Sequence, residues 1–127
     1  MSVFGFATAA SAETFTVECT AASQLCDRTA TLSFTSDGPG VEYGIVLKAP
    51  ATHCSAVSYL VYSNDGQRRL LGRTQFLNAG EWSYVSLGSS LARGSQSVLI
   101  GAEGRVGGCN VGSLRSWGVD AQASIVP

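Results

Sequence analysis

At 127 residues, 45% hydrophobic and 13% charged, the chain is long enough for one folded core. Eight Lys and Arg against nine Asp and Glu leave a formal net charge of −1, so no long-range field draws it to nucleic acid or an anionic membrane. No stretch approaches the roughly 18 apolar residues of a membrane-spanning helix.

In chain order, Val3 to Ala9 form the tail of an apolar segment that ends in Ala10-Ser11-Ala12. Small residues at the first and third of those positions fit a signal-peptidase site. Residues 1–12 therefore read as a signal-peptide remnant, and residues 13–127 as a single mature domain that is secreted or periplasmic. The leader lacks a basic front, because the first basic residue is Arg28. Met1 is accordingly expected to be an internal or truncated start. The competing reading makes this segment an ordinary apolar arm or first strand.

From Glu13 onward the hydrophobic period is two, the signature of half-buried strands. Phe15, Val17 and Cys19 alternate with Thr14, Thr16 and Glu18; Ala30, Leu32 and Phe34 alternate with Thr29, Thr31, Ser33 and Thr35. Asp37-Gly38-Pro39-Gly40 is a turn by composition and leads into Val41, Tyr43, Ile45 and Leu47 on one face. Ala56 to Ser63 is more uniformly apolar, and Asn64-Asp65-Gly66 signals a hairpin after it. Arg68 to Leu77, Glu81 to Leu87, Ser95 to Glu103 and Trp117 to Val126 follow, with turns at Asn78-Ala79-Gly80 and Ala92-Arg93-Gly94. No segment carries a helical stripe. About eight short strands with Gly-rich turns predict an all-β fold, a single antiparallel β-sandwich with jelly-roll or immunoglobulin-like Greek-key topology.

Four cysteines in an apparently exported chain point to disulfides. Three pairings of Cys19, Cys26, Cys54 and Cys109 are possible. The economical one joins Cys19 to Cys26 across a short polar stretch and Cys54 to Cys109 across distant loops. Chain entropy assigns about 2.5 kcal/mol to the short loop and about 4 kcal/mol to the long one. A zinc site would use the same cysteines with His53, but there is no Cys-x-x-Cys pair and only one His.

Catalytic chemistry finds little to work with. A serine hydrolase needs a base, His53 is the sole imidazole, and no serine sits in Gly-x-Ser-x-Gly. Glu42, Asp65, Glu81, Glu103 and Asp120 are available for glycoside cleavage, yet nine acids are what a small surface needs for solubility. Turns account for Asp37 and Asn64-Asp65 without calcium. The expectation is a protein without catalytic residues, metal or cofactor.

Three places are candidate ligand-binding sites. Alternation from Glu81 puts Val85 and Leu87 on one strand face and Trp82, Tyr84 and Ser86 on the other, with the two rings about 7 Å apart. They form either a platform for sugar rings or an apolar partner, or part of the core. Trp117 shares a face with Val119, Ala121, Ala123 and Ile125, opposite Asp120, Gln122 and Ser124, and is placed in the core or at its edge. Arg69 and Arg73 share an expected strand face with Leu71 and Gln75. They suit acidic ligands or, alternatively, edge protection. The loop from Gly104 to Ser116 brings Arg105, Asn110 and Arg115 among glycines that let backbone approach a ligand, or else it is a structural disulfide loop.

In general character the chain resembles the broad class of small secreted β-sandwich modules, which includes carbohydrate-binding modules, adhesin and pilus subunits, and periplasmic inhibitors. No family motif carries functional residues across. The leading expectation is a non-enzymatic module recognising an extracellular glycan or protein surface. A self-assembling subunit of a fibre, pilus or surface layer is the alternative, and a small secreted hydrolase the third.

Overall fold

Alternation becomes architecture first in Ala30–Ser36, where Ala30, Leu32, Phe34 and Ser36 are buried while Thr31, Ser33 and Thr35 face solvent. In the computed structural model, which describes residues 7–8, 12–51, 56–104 and 114–126, this is β3 of nine strands. The others are β1 (Ala7–Thr8), β2 (Glu13–Ser23), β4 (Tyr43–Lys48), β5 (Val57–Ser63), β6 (Leu70–Arg73), β7 (Trp82–Gly88), β8 (Gly94–Gly104) and β9 (Leu114–Ile125). Most of the leader-like segment, His53, Cys54, Arg105, Cys109 and Asn110 lie outside the described residues. Among the described residues no helix is long and apolar enough to cross a membrane.

The antiparallel pairs are nested: β2 with β9, β3 with β8, β4 with β7 and β5 with β6. Pairing of β4 with β9 and of β5 with β8 joins these hairpin-like couples into two sheets. The first has the order β2-β9-β4-β7, with β1 continuing beside the end of β9; the second has the order β3-β8-β5-β6. This nesting, with successive pairs passing from one sheet to the other, is a jelly roll, and it decides between the two expected topologies. Several boundaries differ from the expected strands: β2 runs on to Ser23, through the stretch expected to connect two strands, and β9 starts at Leu114, inside the loop expected over Gly104 to Ser116. The run expected over Arg68 to Leu77 is a strand only at Leu70–Arg73, because Arg68 sits at φ 53° and the pairing breaks register beside Tyr62. The two-residue β1 falls inside the leader-like segment, where Ala7 pairs with Ile125.

Inner faces of both sheets meet in a single core. Two aromatic contacts stitch the sheets together. Trp117 of the first, only 2% exposed, meets Tyr59 of the second edge-on with ring centres 6.1 Å apart. Tyr43 and Phe34 make a second contact between the sheets, their rings tilted at 42° with centres 5.7 Å apart. Such contacts add about 0.5–1.5 kcal/mol each beyond area burial. The Tyr59 hydroxyl donates to the Gly118 carbonyl at 2.5 Å, and burial pushes its pKa up, with Asp120 adding to the shift. The uniformly apolar character of the stretch around β5 has a simple cause: as a central strand it is covered on both faces, and outward-pointing Leu60 is only 5% exposed. A Cys19–Cys26 disulfide closes the β2 to β3 connection, the short-range bridge expected from the spacing.

Candidate functional site

The candidate site lies on the outer face of the first sheet. On β7, Val85 is buried in the core, so strand alternation turns Trp82, Tyr84 and Ser86 outward. Trp82 and Tyr84 are 40% and 42% exposed. They are surface side chains rather than core, the arrangement that the platform reading required.

Cross-strand register shows what stands beside them. Trp82 is opposite Lys48, Lys48 opposite Asp120, and Asp120 opposite Thr14, a row running across all four strand positions of the sheet. At about 4.8 Å per strand that row is about 14 Å long. The next row places Tyr84 opposite Val46 and Val46 opposite Gln122. Val46 is only 1% exposed although it points away from the core, and the Tyr84 ring packs over Gly44, where an added Cβ would lie 3.1 Å from its Cδ2. Tyr84 thus stands on a glycine step, with Trp82 beside it on the same strand face. A depression of about 310 Å³ lies beside it, lined by Ala12, Thr14, Val46, Lys48, Asp120, Ala121 and Gln122.

Polar groups around this depression are held in place. The Thr14 hydroxyl donates to Asp120 Oδ1 at 2.7 Å, and Gln122 Nε2 donates to Ser124 Oγ at 3.0 Å. At the far end of β7, the Ser86 hydroxyl donates to Glu42 Oε2 at 2.9 Å. One face therefore combines two flat rings, a cation, a carboxylate, an amide and hydroxyls. That set can stack on a ring and hydrogen-bond its substituents.

The arginines of the sequence analysis lie elsewhere. Arg69 precedes β6 and faces Asp65 at 3.5 Å. Both border a cleft of about 500 Å³ that opens where the edges β6 and β7 meet, floored by Phe34, Leu71, Leu87, Leu91 and Val98. Hydrogen bonds from the Gln67 N–H and the Ser63 hydroxyl hold the Asp65 carboxyl below its ordinary pKa, with a smaller contribution from Arg69. Arg73 sits on the second sheet, paired with Glu103 and donating to Ser58 Oγ at 3.1 Å. The register break in β5·β6 interrupts the alternation that would have aligned the two guanidinium groups. Arg115 is exposed near the start of β9, about 17 Å along the strand from Asp120 by strand rise. Arg105 and Asn110 lie outside the described residues.

Sequence reasoning did not single out Thr14, Val46, Lys48, Asp120 or Gln122 as neighbours of the aromatic pair. A partial signal existed, since alternation already put Asp120 and Gln122 on the face opposite Trp117. Their meeting with β7 through β4 depends on pairing between segments far apart in sequence.

Fold and surface together define a jelly-roll β-sandwich domain. No protein-family model matches the chain, and no curated protein matches it. Among solved structures it is similar to a chain in the structure of infectious bursal disease virus Gt strain, at 15% identity and a TM-score of 0.42 over 94% of this chain and 31% of that one. A chain in the structure of the Gx strain of that virus is similar at 12% identity and a TM-score of 0.39, over 92% of this chain and 33% of that one. The chain spans about a third of the length of each.

Proposed function

We propose that this domain is a non-catalytic module of an exported protein and that it recognises an extracellular glycan on the outer face of its first sheet. The carrying observation is the joint exposure of Trp82 and Tyr84, at 40% and 42%, at the end of cross-strand rows that hold Lys48, Val46, Asp120 and Gln122. Aromatic faces stack on the apolar faces of sugar rings, while the amide, carboxylate, ammonium and hydroxyl groups beside them bind ring hydroxyls. Export is supported by the leader-like Ala10-Ser11-Ala12 and by the Cys19–Cys26 disulfide, a bond that persists in oxidising compartments.

Affinity electrophoresis through gels containing different polysaccharides, followed by a glycan array, tests this reading. The wild-type protein is expected to be retarded by at least one polysaccharide, and Trp82→Ala with Tyr84→Ala to abolish the retardation while the melting temperature holds. Retardation by none, or retardation that survives the double substitution, would overturn it.

A further inference from the structure

Among the described residues each sheet ends in two strands with one unpaired edge, and three of the four edges are blunted. β6 has four residues, breaks register against β5, and carries Arg73. β2 carries Glu13 and Glu18 and breaks register between Glu18 and Ser23. β7 carries no charge, but it breaks register against β4 between Tyr43 and Gly44. Charges, bulges and shortness are the devices by which natural sheets keep their edges from pairing with other chains.

β3 has none of them. Its seven residues, Ala-Thr-Leu-Ser-Phe-Thr-Ser, include no charge and no proline, and they pair residue for residue with β8 without a break. Among the described residues nothing pairs with its other edge. Thr and Phe favour extended backbone, so the strand presents a straight template of alternate N–H and C=O groups.

We propose that β3 of one copy pairs antiparallel with β3 of a second copy about a two-fold axis at Ser33, joining two four-stranded sheets into one of eight. The strand is self-complementary in this register. Ala30 meets Ser36, Leu32 meets Phe34, Thr31 meets Thr35, and Ser33 meets its own copy. Residues 30, 32, 34 and 36 are all buried in their own core, so inner side continues into inner side across the axis. A shift by one residue would set inner against outer side chains and is excluded by burial. On the outer side, hydroxyl meets hydroxyl, a favourable cross-strand combination. The pairing leaves the outer face of the first sheet open, and it stands or falls independently of glycan recognition.

Sedimentation velocity of the full chain across the micromolar to millimolar range tests the joint, with a concentration-dependent dimer expected. Ser33→Lys sets two ammonium groups opposite each other on the axis, and the dimer should weaken by at least about tenfold. Thr31→Lys with Thr35→Lys, also on exposed positions, repeats the repulsion at two further pairs and should give a monomer with unchanged thermal melting. Ser33→Cys brings two Cβ atoms to about 5 Å and should yield an intermolecular disulfide between the two substituted positions on mild oxidation, identified by peptide mass, while Thr16→Cys on β2 yields none. A chain that stays monomeric throughout, a dimer indifferent to all the lysine substitutions, or a Ser33→Cys dimer that forms no such link would overturn the proposal.

Discussion

The two outer faces of the sandwich are built from the same kinds of residue and used differently. On the second sheet, Tyr62 lies over Gly101, the Arg68 guanidinium stands 5.2 Å from its ring centre, and Arg73 is shared between Glu103 and Ser58. Ring, cation and carboxylate there are matched within the domain, which makes that face a structural cover over Leu60. On the first sheet, the aromatic pair is carried to the sheet's edge by β7 and set beside a depression ringed with polar groups. The difference comes from position in the sheet. Tyr62 is on a central strand and has neighbours on both sides to cover, whereas Trp82 and Tyr84 are on an edge strand with a neighbour on one side only.

Both faces stand on one core, so the largest effect comes from removing their common floor. Trp117→Ala should destabilise the domain by about 3–5 kcal/mol in denaturant melts, with loss of any function along with the fold. Trp117→Phe should cost distinctly less. It keeps a ring against Tyr59 and removes an indole N–H that has no acceptor among the described residues.

A crossed pair of substitutions measures the comparison itself. Tyr62→Ala should lower stability by about 1–2 kcal/mol, since it uncovers Gly101 and removes the ring beside the Arg68 guanidinium, and should leave polysaccharide retardation unchanged. Trp82→Ala or Tyr84→Ala should do the reverse, with stability within about 1 kcal/mol of wild type and weakened retardation. If Tyr62→Ala were the change that abolished binding, the assignment of the two faces would have to be exchanged.

This division was half legible in the sequence. Alternation separated Trp82, Tyr84 and Ser86 from Val85 and Leu87, and it separated Trp117 from Asp120 and Gln122, because a strand's period of two is local. The short Cys19–Cys26 bridge was readable for the same reason. Alternation alone leaves open which face of β7 is inside, and the sheet settled it by burying Val85. The rows that give the aromatic pair its neighbours depend on register between β7, β4, β9 and β2, which non-local pairing fixes. Arg69 and Arg73 show the limit from the other side. Counting by twos aligns them, but one break in the β5·β6 ladder sends them to different carboxylates.

The ion pair of the second face should contribute little. Arg73 and Glu103 side chains are 42% and 27% exposed, so solvent screens them. Arg73→Ala should cost at most about 1 kcal/mol, and less as salt is raised. A larger loss would show that Arg73 acts mainly through Ser58, a fully buried hydroxyl that also donates to the Thr74 carbonyl at 2.6 Å. Arg73→Gln, which keeps a donor without the charge, would then restore most of the stability.

The smallest effect is expected at the loop that turns β5 into β6. The Asp65 carboxyl is held below its ordinary value chiefly by the Gln67 N–H and the Ser63 hydroxyl, and to a lesser degree by Arg69. A carboxylate with a depressed folded pKa contributes order that is complete above its unfolded value of about 4 and is lost as pH falls through the lower folded value. The loop should therefore keep its protection at neutral pH and lose it only in acid, ahead of the sheets. Amide exchange at Gln67, followed from neutral pH downward, reads this directly. Asp65→Asn removes the titrating group, so its Gln67 amide should show no acid step. An identical step in both proteins would place the sensitive group elsewhere. On the first face, Asp120 accepts from Thr14 and shares a row with Trp82. Polysaccharide retardation measured through the same acid range separates the two faces again, because opening the loop beside Tyr62 should leave it unaltered.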